Sequence, residues 1–245
     1  MPRGRARGYE LQRETILARA AELFARRGFM ATTMNELAEA CGVSKPSLYH
    51  YVRDKHQLLA EIAEGHVVRL LALIAGVDAA RLAPEPQLRR LIAAFLAVYA
   101  RSQAEHRVLT DDVRFLNAPE RDRILGAERR VVAAFAEAIA ATRPELRAAS
   151  LEKPLAMLLF GMMNWMFIWL QPDGELSHDD LAPVVADLFF GGIGAVRAPV
   201  RKRLPPAHDN NGDPSCPSPD KPSSSSASPR RPRSLPRHGP TSTSA

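Results

Sequence analysis

The chain has 245 residues, with 33 Lys+Arg against 27 Asp+Glu and two cysteines, long enough for one large domain or two modest ones. Cys41 and Cys216 lie in very different surroundings and make no disulfide framework. The longest strongly apolar run, Leu155 to Leu170, is broken by Asn164 and falls short of the roughly 20 residues that span a bilayer, and the basic N-terminus lacks the apolar stretch of a secretory signal; no membrane association and a cytoplasmic location are expected.

Basic residues outnumber acidic ones nine to five over residues 1–53, fall short by sixteen to nineteen over 54–197, and lead eight to three over 198–245. A mildly acidic middle between basic ends predicts local contact with a polyanion, nucleic acid first and anionic lipid second. Residues 1–8, with Arg3, Arg5 and Arg7, read as a flexible basic arm, either frayed in solvent or entering a minor groove.

Ile16, Ala20, Leu23 and Phe24 then recur at helical spacing and stop before Gly28, predicting a helix with a glycine C-cap. Thr33-Met34-Asn35-Glu36 has the spacing of a capping box and opens a second helix to about Cys41. Gly42 tolerates positive φ in a turn, and Ser44 caps a third helix, Lys45 to about Tyr51, whose first turn accepts Pro46. Asp54 and Gln57 start a long fourth helix to about Ile74. Pro84/Pro86 start another with Leu88, Leu91, Ile92, Phe95 and Tyr99 on one face, and Pro119 one with Ile124, Val131, Phe135 and Ile139. Two more follow, Leu151 to Leu170, apolar nearly all round, and Ser177 to about Val196. A helix apolar all round must be enclosed by its own domain, a ligand or another subunit. No β-type alternation competes, so the expected fold class is all-α.

The second helix, the Cys41-Gly42-Val43 turn and the short third helix make a helix-turn-helix, which lays its second helix in a DNA major groove. Ser44, Lys45 and Ser47 then reach base edges or nearby phosphates, while Tyr49 and His50 project toward the backbone. Lys55 sets a cation beside a helix N-terminus, favourable for phosphate. Tyr51 is divided between a DNA contact and packing against the first helix.

The order Thr33-Met34, Leu37-Ala38, Gly42-Val43-Ser44, Leu48-Tyr49-His50-Tyr51, Lys55, Leu58-Leu59 resembles the TetR family of bacterial transcriptional regulators across residues 12–62. The aromatic pair two residues apart and the lysine opening the fourth helix are its more specific marks. The resemblance implies phosphate contacts at Thr33, Tyr49, His50 and Lys55, within a DNA-binding set that also holds Ser44, Lys45, Pro46, Ser47 and Tyr51. It also implies a three-helix DNA-binding domain over 9–56, a helical effector-binding and dimerisation domain over 57–197, and a homodimer through the last two helices. The partners are then a palindromic double-stranded operator and a small effector whose binding releases the repressor.

Met162, Trp165, Met166 and Trp169 share a helix face that either lines a pocket or belongs to the core or dimer seam. Phe95, Tyr99 and Phe115 complete an expected effector pocket with Arg114, which meets a carboxylate or phosphate unless it pairs with Asp111. Leu181, Val185, Leu188, Phe189 and Gly192 read as the dimer stripe. The segments around Trp165–Trp169 and Asp187-Leu188-Phe189 resemble the branch of the family that controls acyl-CoA, fatty-acid and aromatic-acid catabolism. A multidrug-type regulator of an efflux gene, drawing on Asp111 and Asp112, is the competing reading, and a helical effector-binding protein without operator specificity a third.

No His-Glu-x-x-His, paired-Cys, P-loop or G-x-G-x-x-G constellation occurs, so neither enzyme, metal nor cofactor is expected, and His66, His106 and His178 read as ordinary polar side chains. From Ala198 the chain turns Pro- and Ser-rich with few large aliphatics, and residues 198–245 read as a disordered tail.

Overall fold

Gly28, Gly42 and the caps Thr33, Ser44, Asp54 and Ser177 all fall at breaks between helices. The computed structural model describes residues 3–170 and 174–194, and these form ten α-helices and one 3-10 turn, with no strand among them. The tail at 198–245 and the far end of the last predicted helix lie outside the described residues.

α1 (Arg3–Arg27) ends at Gly28, whose φ of +83° is open to a residue without a Cβ and whose N–H returns to the Phe24 carbonyl at 2.8 Å. The expected flexible arm is corrected here: the backbone is helical from Arg3 onward. α2 (Met34–Ala40) carries the full capping box, with Thr33 accepting from the Glu36 N–H and Glu36 from the Thr33 N–H. Gly42, at φ +64°, makes the turn into α3 (Lys45–Leu48), shorter than expected and capped by Ser44. α4 (Lys55–Ala79), capped by Asp54, runs more than a turn past the predicted end.

α5 (Pro84–Arg101) and α7 (Ala118–Thr142) start where their prolines predict. Between them stand α6 (Gln103–Asp111) and the 3-10 turn Val113–Phe115, which the sequence did not announce. The short α8 (Glu145–Ala148) leads to α9 (Glu152–Trp169), and α10 (His178–Ile193) opens on a second capping box, Ser177 with Asp180.

One apolar core runs through these helices, from Ile16 and Phe24 in α1 to Phe189 and Ile193 in α10. α7 lies between α4 and α9, α5 packs on α7 and α10, and α6 bridges α1 and α4. Burial of each large core side chain stabilises the fold by about 1.5–3 kcal/mol. Ion pairs Arg13–Glu61 at 2.6 Å and Arg123–Glu64 at 2.8 Å tie α4 to its neighbours. Among the described residues no helix is long and apolar enough to cross a membrane.

Candidate DNA-binding head and effector chamber

The helix-turn-helix is held from beneath by Leu37, Leu48 and Leu58, all fully buried. That core leaves Ser44, Lys45, Pro46, Tyr49 and His50 exposed on one side, with Ser47 half-buried between them. A positively charged, hydroxyl-bearing helix start of this kind is suited to phosphates and base edges.

Three expected contacts are otherwise engaged. The Lys55 ammonium donates to the carbonyls of Phe29, Met30 and Thr32 at 3.0, 3.3 and 3.2 Å, and sits 4.5 Å from the centre of the Phe29 ring. An ammonium has three protons, so the expected phosphate contact at Lys55 is corrected to a clamp on the α1–α2 turn. Thr33 spends its hydroxyl on Glu36, accepting from the backbone N–H and donating to the carboxylate at 2.9 Å. These bonds hold the Glu36 carboxyl below its ordinary range. Tyr51 stacks on Tyr9 of α1, with centroids 4.8 Å apart, which favours its packing role.

A cavity of about 150 Å³ lies among α4, α5, α6, α7 and α9. Val67, Leu70, Leu109, Val131 and Phe160 supply apolar walls, and Tyr99, His106, Glu128 and Asn164 bring polar atoms to it. Glu128, Val132 and Met157 also line an open groove of about 650 Å³ between α7 and α9, whose rim carries Arg129, Arg147 and Lys153 together with Glu137 and Glu152. Chamber and groove thus share a boundary at those three residues.

Behind the chamber, the His66 Nε2 lies 3.2 Å from the His106 Nδ1, and the His106 ring stacks on Tyr99 at 3.9 Å between centroids. Both histidines are buried, correcting their expected status as ordinary polar side chains. Burial pushes His66 down to about 3, with the neighbouring His106 and Arg69 acting in the same direction. It pushes His106 down to about 4, against the opposing pull of a hydrogen bond with Asn164 and the charge of Asp111. Both rings are therefore neutral at pH 7. Burial also raises the Glu128 carboxyl and the Tyr99 hydroxyl.

Of the eight expected effector residues, only Tyr99 lines this chamber. Phe95 is buried behind it in a ring cluster with Phe135 and Phe160. Arg114 is exposed, its guanidinium 4.9 Å from the ring of adjacent Phe115, while Asp111 pairs with Arg107 at 3.5 Å. Phe115 stacks on Phe29 of the DNA-binding part, Met166 is buried in the core, and Met162 is half-buried against it. Trp165 and Trp169 are 63% and 48% exposed on the outer face of α9. Of this face Met166 turns into the core while Trp165 and Trp169 turn outward, a division that an apolar helix gives no cue to in its sequence.

The expected dimer stripe divides as well. Val185 and Phe189, 7% and 6% exposed, belong to the core beside α5, whereas Leu188 is 64% exposed, Gly192 is exposed and Leu181 half-buried. Val184 joins the outward side, a fraction of a turn from the expected line.

Residues 16–62 match the family model described as bacterial regulatory proteins, tetR family, and residues 81–193 match the tetracyclin repressor-like C-terminal domain. A TetR-family transcriptional regulator from Bordetella parapertussis is 33% identical, and the match covers 76% of this chain and 98% of that one at a TM-score of 0.71. The chain belongs to the TetR family. This TetR-family protein is a ligand-responsive DNA-binding regulator. It is also 25% identical over 187 residues to the HTH-type transcriptional repressor KstR2 of Rhodococcus jostii, covering 75% of this chain and 92% of that protein. AibR, solved in complex with isovaleryl coenzyme A and operator DNA, shares the fold at 24% identity and a TM-score of 0.64, over 72% of this chain and 97% of its own.

Proposed function

We propose that this regulator is a homodimeric repressor that leaves a palindromic operator when an acyl-coenzyme A thioester occupies its chamber. The observation that carries the effector class is the shared boundary between a mainly apolar chamber and an open groove whose rim carries Arg129, Arg147 and Lys153 together with Glu137 and Glu152. A thioester of this kind has an apolar acyl end, a neutral amide-bearing arm and an anionic phosphate end, and the chain offers surroundings for each in that order. The chamber, about 150 Å³ and walled mainly by apolar side chains, is the proposed seat of the acyl end. The fold is known to accommodate such a ligand, since AibR holds isovaleryl coenzyme A.

Dimerisation is supported by the outer faces of α9 and α10, where Leu158, Trp165, Ile168, Trp169, Val184 and Leu188 are large, apolar and exposed. Such a face calls for a second copy. Two recognition helices in a dimer then address half-sites about 34–36 Å apart, with Ser44, Lys45, Ser47, Tyr49 and His50 making the contacts. The effector lowers operator affinity by as much as it prefers the non-binding state, about 1–3 kcal/mol in typical cases. The test is fluorescence anisotropy of the full chain with DNA upstream of its own gene against scrambled DNA at about 0.15 M salt, without and with short acyl-coenzyme A esters. Preference by about a thousandfold, relieved by the ester, supports the reading. Equal binding to both DNAs overturns operator function, and operator binding indifferent to every ester overturns the effector class.

A further inference from the structure

Glu128 is the acid of the chamber, and it stands where the chamber meets the groove. Arg69, Arg107, Arg123 and Arg147 are paired with Glu105, Asp111, Glu64 and Glu137, while Arg129 and Lys153 stand on the groove rim and make no ion pair with Glu128. Burial raises the Glu128 carboxyl, and among the described residues no cation pairs with it. The Tyr99 hydroxyl lies on the same wall, close enough to feel the Glu128 charge. A half-buried carboxylate without a cation costs stability in the empty protein, and a ligand that brings an N–H or O–H to it recovers part of that cost. A ligand that brings a second carboxylate to it adds like-charge repulsion in a poorly solvated place.

We infer that Glu128 is a specificity-determining residue that admits effectors presenting an N–H or O–H donor where chamber and groove meet and rejects those presenting a carboxylate there. The regulator thereby senses the activated thioester and not the free acid from which it is made. With the acyl group in the chamber, the first amide N–H of the pantetheine arm donates to Glu128, whereas the free acid sets its own carboxylate beside that group. This rests on the acyl-thioester effector proposed above, and it names the group that separates the thioester from its acid.

Three probes test it by calorimetry on the full chain without DNA: the isovaleryl thioester of N-acetylcysteamine, the same molecule with an ester oxygen in place of the amide N–H, and isovalerate. The native chain should bind the amide about tenfold more tightly than the ester, the ratio expected for one hydrogen bond to a charged group, and should not bind isovalerate measurably. Glu128→Gln keeps an acceptor and loses the charge, so it should retain much of the amide preference and now bind isovalerate. Glu128→Leu should bring amide and ester within about twofold, with unchanged helical circular dichroism showing that it folds. Equal binding of amide and ester by the native chain, or a preference that survives in Glu128→Leu, overturns the role of Glu128 while leaving the thioester effector intact. Failure of the native chain to bind either thioester overturns the effector reading, and this inference with it.

Discussion

Phe29 and Phe115 stack with their centroids 5.5 Å apart and their planes 23° from parallel. The first lies in the α1–α2 turn of the DNA-binding head, the second at the end of the 3-10 turn that follows α6. The buried Asp112 carboxylate accepts the Phe29 N–H beside them, while burial raises its own pKa. α6 lends His106, Leu109 and Thr110 to the chamber wall, so one short helix touches the chamber at one side and holds Phe29 at its end. Phe115→Ala should therefore leave operator affinity within a few-fold but shrink the effector's effect on it from the usual 5–150-fold range to less than about threefold. Anisotropy titrations with and without isovaleryl coenzyme A give that ratio, and an unchanged ratio rules out this route.

Lys55 and Lys45 make opposite predictions. Lys55 is spent on three carbonyls and a ring face within the protein, so Lys55→Met should cost about 2–3 kcal/mol of stability, as loss of a charged hydrogen-bond donor does, and leave the salt dependence of DNA binding as it was. Lys45 is exposed at the start of α3, and Lys45→Ala should make the slope of log affinity against log salt shallower by about 0.9. Thermal melts and salt titrations of both variants separate the two roles. A shallower slope for Lys55→Met would return that lysine to the phosphates.

Caps, glycines and prolines made most of the helices legible, because each acts through a few neighbouring residues. Gly28, Thr33, Ser44, Asp54 and Ser177 all stand at the helix boundaries they predict. α6 was not legible: no side chain caps it, Ser102 breaks it from α5 without proline or glycine, and its buried residues are few. The chamber was harder still, since it is assembled from five helices and its polar residues are single members of otherwise apolar stripes. His66 follows Ile62 at the spacing of a core position, a pattern that fits a buried ring but does not identify its partner. Facing direction was lost for the same reason. Trp165 and Met166 are neighbours in one apolar run, and only the packing of α7 against α9 decides that the second is buried and the first exposed.

The histidine pair predicts acid sensitivity in a particular window. His66 and His106 have folded-state values of about 3 and about 4, below the ordinary value of about 6.5. The unfolded chain therefore binds protons first as pH falls. Stability is fully present above about pH 6.5 and is lost progressively below it, down through the folded-state values. Ordinary carboxylates titrate mainly below about pH 5, and the raised Glu128 and Asp112 carboxyls act in the opposite sense, so a falling urea midpoint between about pH 6.5 and 5 reports the pair together with His178, which burial also lowers. The double variant His66→Leu with His106→Leu should flatten that part of the curve. A slope undiminished in the double variant removes the pair as its cause.

Trp165 and Phe189 distinguish the two faces of the last helices. Trp165 is exposed in the isolated chain, while Phe189 is buried against its own core. If a second copy covers the outer face, Trp165→Glu places a charge in that seam and should give a folded monomer by sedimentation, with specific operator binding lost because one half-site cannot hold the complex. Phe189→Ala should instead leave the dimer intact and lower stability by about 3–5 kcal/mol, the cost of emptying a buried aromatic site. Both tryptophans lie on the outer face, so dilution of the native protein should shift tryptophan emission to the red as subunits part. A native chain that sediments as a monomer at micromolar concentration, with emission independent of concentration, would leave the face without a partner copy and remove the paired half-sites from the mechanism.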